Sequence, residues 1–405
     1  MLIRNADIHG HGPGDLRIVG ETIAQIGQLE PTAGEPVIDA AGGALLPGLH
    51  DHHIHLAALA ARTASVPCGP PEVTGADELA SILQRPGSGW IRGIGYHESV
   101  MGLPDAKALD ELVRDRPLRI QHRSGRMWLL NTLALMHLLE RAPPPPGLER
   151  ARGGYTGRLF DEDAWLRTTL GSVPPDFSAV SRALAASGVT GITDMSPAND
   201  AAMAAHFSAE IGRGALIQNV TLAGTLALSD AERGEWRIGP AKLHLHEAAL
   251  PEFETATRFI SRAHAQGRAV AVHCVSEVEL VFALALFEAT GCVRGDRIEH
   301  VSVAAMHLVD RMHQLGLQAC VQPHFIAERG DRYLADVEPR HQGDLYRLAS
   351  VVEAGIALAG GSDAPFGSAD PWAAMAAAVS RNRILIASRS GQIARLMFIR
   401  SCLIA

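Results

Sequence analysis

From residue 180 onward, short apolar runs recur at a regular spacing: Val189–Asp194, Ala215–Val220, Ala241–His246, Ala269–Cys274, Arg297–Val301, Leu317–Gln322 and Ile356–Ser362. Stretches with helical spacing separate most of them, as at Glu252–Gln266, Glu277–Ala289 and Ala304–Leu315. A further apolar run ends at His53 and brings the strand total to eight. Eight strands alternating with helices predict a parallel (β/α)8 barrel of the α/β class. An open doubly wound sheet ranks below it, because no glycine-rich nucleotide loop follows the first strand.

Two regions break this rhythm. Residues 1–44 read as the N-terminal part of a small β-domain, with strand-like pieces at Leu2–Ile8, Leu16–Val19, Thr22–Ile26 and Val37–Ala40 forming a β-meander. Residues 45–381 are the barrel, and about 60–180 are an insertion between its first and second strands, with strands at Trp90–Ile94 and Leu118–Gln121. Because barrel enzymes build their sites at strand C-termini, that insertion is expected over the active-site face. The run Pro143–Pro146 predicts a stiff loop. Residues 382–405 form an atypical tail: after Asp370 there is no acidic residue, while Arg381, Arg383, Arg389, Arg395 and Arg400 all occur.

Composition narrows the function. The 405 residues are 47% hydrophobic and carry a formal charge of -8, which argues against nucleic acid or an anionic membrane as the main partner. No apolar run reaches the roughly 18 residues of a membrane span. The five cysteines are scattered and odd in number, as expected of free thiols in a reducing, cytoplasmic setting.

The chemistry-bearing residues fall at predicted strand ends. In Pro47-Gly48-Leu49-His50-Asp51-His52-His53-Ile54-His55, His53 and His55 lie two apart and share a strand face. His52 faces the other way and reads as structural. Lys242 sits in an apolar strand, followed by His244 and His246 on its own face. His273, His300 and Asp363 end three later strands. Four imidazoles, a lysine and a carboxylate on one rim make the ligand set of a two-metal site suited to Zn²⁺. Burial lowers a lysine pKa, and a neutral amine captures CO2 to give a carbamate that can bridge two cations. Two ions sharing a water would hold hydroxide ready, with Asp363 moving the proton to the leaving group. His122, Arg123 and His324 are candidate substrate-binding groups that would hold a developing oxyanion.

Pro47–His55, Lys242, His273, His300 and Ser362-Asp363-Ala364-Pro365 together resemble the amidohydrolase superfamily, most closely amidohydrolase family 3, the branch with N-substituted formamide deformylase. Gly188–Asp194, Asp296–His300 and Asp370-Pro371-Trp372 resemble the same branch. The resemblance implies a distorted TIM barrel, a β-sandwich-like small domain and one or two metal ions, usually Zn²⁺. It implies hydrolysis of a non-peptide C–N bond in a small amide-like substrate. On that pattern His53 and His55 bind the more buried ion, His273 and His300 the more exposed one, carboxylated Lys242 bridges them, and Asp363 is ligand and acid/base.

Two departures stand out. Arg126 stands where this branch would carry a second histidine in Gln121–Arg126. The strands that would complete the small domain's C-terminal part are missing, which predicts a truncated or shifted frame near residue 382. The alternatives are a one-metal deaminase of the same fold, or an inactive remnant whose exposed apolar surface calls for a homo-oligomer partner.

Overall fold

The computed structural model describes residues 1–84, 86–171 and 174–380. The atypical tail at 382–405 therefore lies outside the described residues. Two compact units emerge: residues 1–55 with the chain from 181 onward, and residues 56–180. Among the described residues no helix is long and apolar enough to cross a membrane.

The first unit opens with a five-stranded sheet. Leu2–Ile8, Gly12–Val19 and Thr22–Gly27 are antiparallel neighbours, as a meander requires. Val37–Asp39 departs from that expectation, since it returns to pair parallel with Leu2–Ile8, as does Ala44–Leu45. The return is held by side chains. Asp15 accepts from the backbone of Asn5 and Leu29, and Arg17 makes two bonds to Glu35 at 2.9 and 3.0 Å. Ala6, Ile8 and Leu16 form a buried apolar cluster on this sheet.

The rest of the unit is the predicted barrel. Its strands are β1 (Leu49–Ile54), β2 (Val189–Asp194), β3 (Asn219–Gly224), β4 (Trp236–His244), β5 (Val270–Cys274), β6 (Arg297–His300), β7 (Gln318–Val321) and β8 (Leu358–Gly360). Each ladder from β1 through β8 is parallel and follows chain order. Strand β3 starts later than the apolar run at 215–220 suggests. The backbone N–H groups of Ala215 and Leu216 are spent on the Glu210 carbonyl, so that run closes the preceding helix.

Helices α1 (Ala201–Gly212), α2 (Phe253–Ala265), α3 (Glu277–Thr290), α4 (Met306–Gln314), α5 (His324–Asp336), α6 (Leu348–Glu353) and α7 (Pro371–Ser380) accompany the strands. Their starts are written in the sequence. Asp200 caps α1, and Ser276 with Glu279 forms a reciprocal capping box on α3. Val270, Val272, Ile260, Leu284, Phe287 and Ile298 are fully buried between strands and helices. Each such side chain stabilises the fold by about 1.5–3 kcal/mol.

The barrel closes where β8 meets β1, and backbone bonds just beyond β8 make the joint. Asp363 N–H donates to the His53 carbonyl at 2.6 Å, and His55 N–H donates to Ala364 at 2.8 Å. Closure needs Gly361: a Cβ there would lie 2.5 Å from His53 Cβ and 2.7 Å from its nitrogen.

The second unit has a six-stranded sheet in the spatial order Leu148–Ala151, Gly154–Phe160, Met127–Leu130, Leu118–His122, Ile91–Tyr96, Val66–Pro67. Two apolar clusters support it, one around Leu79, Tyr96, Leu109 and Ile120, the other around Trp128, Leu130, Leu138 and Leu159. Residues Pro143–Pro146 form neither helix nor strand.

Gly361→Ala should destabilise the barrel by about 1–3 kcal/mol, the usual penalty of overpacking, read from urea unfolding. Arg17 holds the Glu35 carboxyl down at about 2, from an ordinary 4.5. A depressed carboxyl stabilises above its unfolded pKa and loses that contribution as pH falls through the folded value. The wild-type advantage over Glu35→Gln should therefore be full above pH 4.5 and vanish toward pH 2. Melting temperatures of both proteins across that range check it.

Candidate metal centre

The centre is assembled at the C-terminal ends of the barrel strands, from residues far apart in the chain. At the end of β1, period-two alternation turns His53 and His55 to one side. The Asp363 carboxylate, just past β8, meets both: its Oδ1 lies 3.4 Å from His53 Nε2 and 3.0 Å from His55 Nε2. His300 joins from β6, its ring centroid 4.8 Å from that of His53, and His273 from β5 packs edge-on to His300 at 4.5 Å. Lys242 on β4 is buried, and its Nζ has no hydrogen-bond partner among the described residues. Its charge is felt by His53, His273 and His300.

His300 reaches this cluster by breaking a rule. Glu299 and His300 are consecutive on β6, so regular alternation would send them to opposite faces. His300 instead has φ 72°, in the left-handed region that a non-glycine residue rarely occupies. Asp363 shares the feature with φ 53°.

Neighbouring side chains fix the rings. His53 Nδ1 donates to Glu299 Oε2 at 2.5 Å, and His300 Nδ1 donates to Gln322 Oε1 at 2.8 Å. His55 Nδ1 lies 3.3 Å from Ser196 Oγ. In all three the partner takes Nδ1, and for His53 and His55 this leaves Nε2 toward Asp363, which is how a ligating histidine is normally oriented. Glu299 is fully buried and in turn paired with Arg297. Asp51, also buried, accepts from the backbone of His53 and Ser362.

Electrostatics favour neutral rings and ionised carboxylates. Burial pushes His53 down to about 3, reinforced by Lys242 and opposed by Glu299. Burial likewise lowers His273 and His300. Burial alone would raise Asp363, but the neighbouring imidazoles of His55, His53 and His300 outweigh it and hold the carboxyl low. Burial also lowers Lys242, against the pull of Glu299. Neutral imidazole and ionised carboxylate are the ligating forms.

This donor set fits a divalent ion. Two donors about 2.0–2.1 Å from one zinc at a tetrahedral angle stand roughly 3.4 Å apart. The Asp363 contacts to His53 and His55 match that spacing. A buried amine without a partner is costly, and Lys242 Nζ next to these donors calls for a group that it can bind. His53, His55 and Asp363 converge closely enough for their ligand atoms to share one ion.

The remaining candidates sit as follows. His324 opens α5 and is buried; its Nε2 donates to the Ser362 carbonyl at 3.0 Å, which leaves Nδ1 as an acceptor without a partner among the described residues. His122 belongs to the second unit. Its Nδ1 accepts from Ser124 N–H, so Nε2 carries the proton toward Glu98 at 3.1 Å. Arg123, next to it, is exposed. Glu299, Arg297, Gln322 and Asp51 are the supporting residues that the strand-end argument missed. For Arg297 and Glu299 the signal was present: an acid and a base two apart in the apolar strand before His300 can only be buried as a pair.

The amidohydrolase family profile matches residues 36–395. The chain is 26% identical to the amidohydrolase YtcJ of Bacillus subtilis, over 84% of this chain and 74% of that protein. It is 25% identical to the N-substituted formamide deformylase of Arthrobacter pascens, over 91% of this chain and 79% of the other. In fold it matches a metal-dependent hydrolase of Pyrococcus horikoshii with a TM-score of 0.76 at 22% identity, covering 94% of this chain and 86% of that one. The profile spans nearly all of the chain that carries the eight parallel strands, and the chain belongs to the amidohydrolase family.

Proposed function

We propose that this amidohydrolase is a metal-dependent hydrolase that cleaves a non-peptide, amide-like C–N bond of a small molecule. One observation carries the reading: His53, His55 and the ionised Asp363 carboxylate gather beside a buried amine that has no partner among the described residues. His53, His55, His273, His300 and Asp363 would hold one or two Zn²⁺ ions, with Lys242, as its carbamate, between them. A bound divalent ion supplies Lewis acidity, polarising a carbonyl oxygen and lowering the pKa of water.

The chain's own groups do the rest. Asp363 is held ionised, so it accepts a proton from the attacking water and returns it to the departing nitrogen. The Glu299, Gln322 and Ser196 bonds keep the rings turned so that no reorganisation accompanies the reaction. His324 spends its N–H on Ser362, so in this tautomer it offers substrate an acceptor for an N–H rather than a donor for an oxyanion. A cytoplasmic setting fits the free, buried thiols of Cys68, Cys274 and Cys320. The formamide deformylase relative makes N-substituted formamides the first substrates to try.

Purified protein analysed for metal should carry zinc, with two equivalents per chain on the bridging reading and fewer in Lys242→Ala. A single equivalent unaffected by Lys242→Ala would favour the one-metal deaminase instead, and a folded chain that takes up no metal refutes the proposal. Asp363→Asn should lower kcat on the best amide by about 10²–10⁴. Gln322→Met keeps the volume but removes the acceptor for His300, and should weaken zinc binding about 10–100-fold in a chelator competition.

A further inference from the structure

Three of the four histidines in the centre have a side-chain partner on Nδ1: Glu299 for His53, Ser196 for His55 and Gln322 for His300. His273 has none. Among the described residues its ring is engaged only by other rings. It lies flat on His244, with centroids 4.3 Å apart and planes 12° from parallel, and it meets His300 edge-on.

The stack is built into the sheet. His244 and His273 are directly paired across β4 and β5, so their side chains leave the ladder on the same face. His244 also sits two residues after Lys242 on one strand, so its backbone is tied to the position of the buried amine. On its other side it meets His246, with ring centroids 5.6 Å apart.

An imidazole is free to turn about its last torsion unless something holds its plane, because that torsion has broad wells. Ligating histidines are usually held by a hydrogen bond from the outer nitrogen. A flat ring pressed on one face does the same job by sterics, since rotation would drive the edge of one ring into the face of the other.

Building on the metal-binding reading above, we propose that His244 is the positioning residue for His273, with ring stacking in place of the absent hydrogen bond. The centre then has two unequal halves. The half with His53 and His55 is fixed by a buried carboxylate and a hydroxyl. The half with His273 and His300 is fixed on one side only by a stack at the solvent-exposed end of β4. Its ion is the more readily exchanged of the two.

The test is a zinc titration of the chelator-stripped full chain against a chromophoric competitor. Wild-type protein should bind two equivalents. His244→Ala should keep the tighter equivalent and bind the second on the order of tenfold more weakly. His244→Leu, which fills the space without a flat ring, should behave like the alanine variant and covers the case in which His244→Ala does not fold. His244→Phe, which can stack but cannot ligate, should restore the second equivalent. The inference is overturned if the non-aromatic variants bind both ions as wild type does, if both ions weaken equally, or if His244→Phe is as weak as His244→Leu. A wild-type chain that binds a single equivalent, untouched by these substitutions, overturns it too. Wild-type protein that binds no zinc removes the metal reading itself, whereas normal wild-type binding with unchanged variants removes this inference alone.

Discussion

A carboxylate with no exposure at all has to be neutralised where it stands, and the barrel is arranged around one such group. Glu299 is fully buried on β6 and lies between Arg297 and His53. Burial by itself would raise its pKa, but the Arg297 charge and the His53 ring hold it well below the usual carboxylate range. Breaking a buried pair of this kind costs about 3–5 kcal/mol, because the surviving charge is left uncompensated. The same carboxylate sets the tautomer of His53. Arg297 reaches further, donating to the His52 carbonyl and so tying β6 to β1. Scaffold electrostatics and ring orientation are thus one network.

Strain gathers at the same place. His300, Val301 and Asp363 all have positive φ, at 72°, 49° and 53°. Conformations of this kind cost on the order of 1–3 kcal/mol each and persist only where surrounding contacts over-determine them. Gln322 supplies such a contact for His300, and the backbone bond to His53 supplies one for Asp363. The benefit is density of function: β6 presents both Glu299 and His300 to one centre, which a regular strand cannot do.

The legible part of this molecule was the part with a period. His53 and His55 are two apart, Lys242 is a lone charge in an apolar run, and His273, His300 and Asp363 each terminate such a run. The fold followed from the same alternation. What escaped had no period to betray it. Glu299 and Gln322 act through single hydrogen bonds across strands, and nothing along the chain marks Gln322 as a partner of His300. Strand β3 was displaced because local hydrogen bonds closing the C-terminal end of α1 claimed the apolar residues before it. The parallel return of Val37–Asp39 depends on the Arg17–Glu35 and Asp15 bonds, which link positions that no local pattern connects.

The joint between β8 and β1 also has a kinetic meaning. The bond from Ser362 N–H to Asp51 spans 311 residues of chain and joins the first strand of the barrel to the segment just past the last. Contacts of such long range carry a large loop-closure cost and form late in folding. The donors contributed by β1 and by the segment after β8 come together only with that joint. An ion held by both would therefore not guide early folding; it would act as a latch on the finished barrel, slowing its opening rather than speeding its assembly.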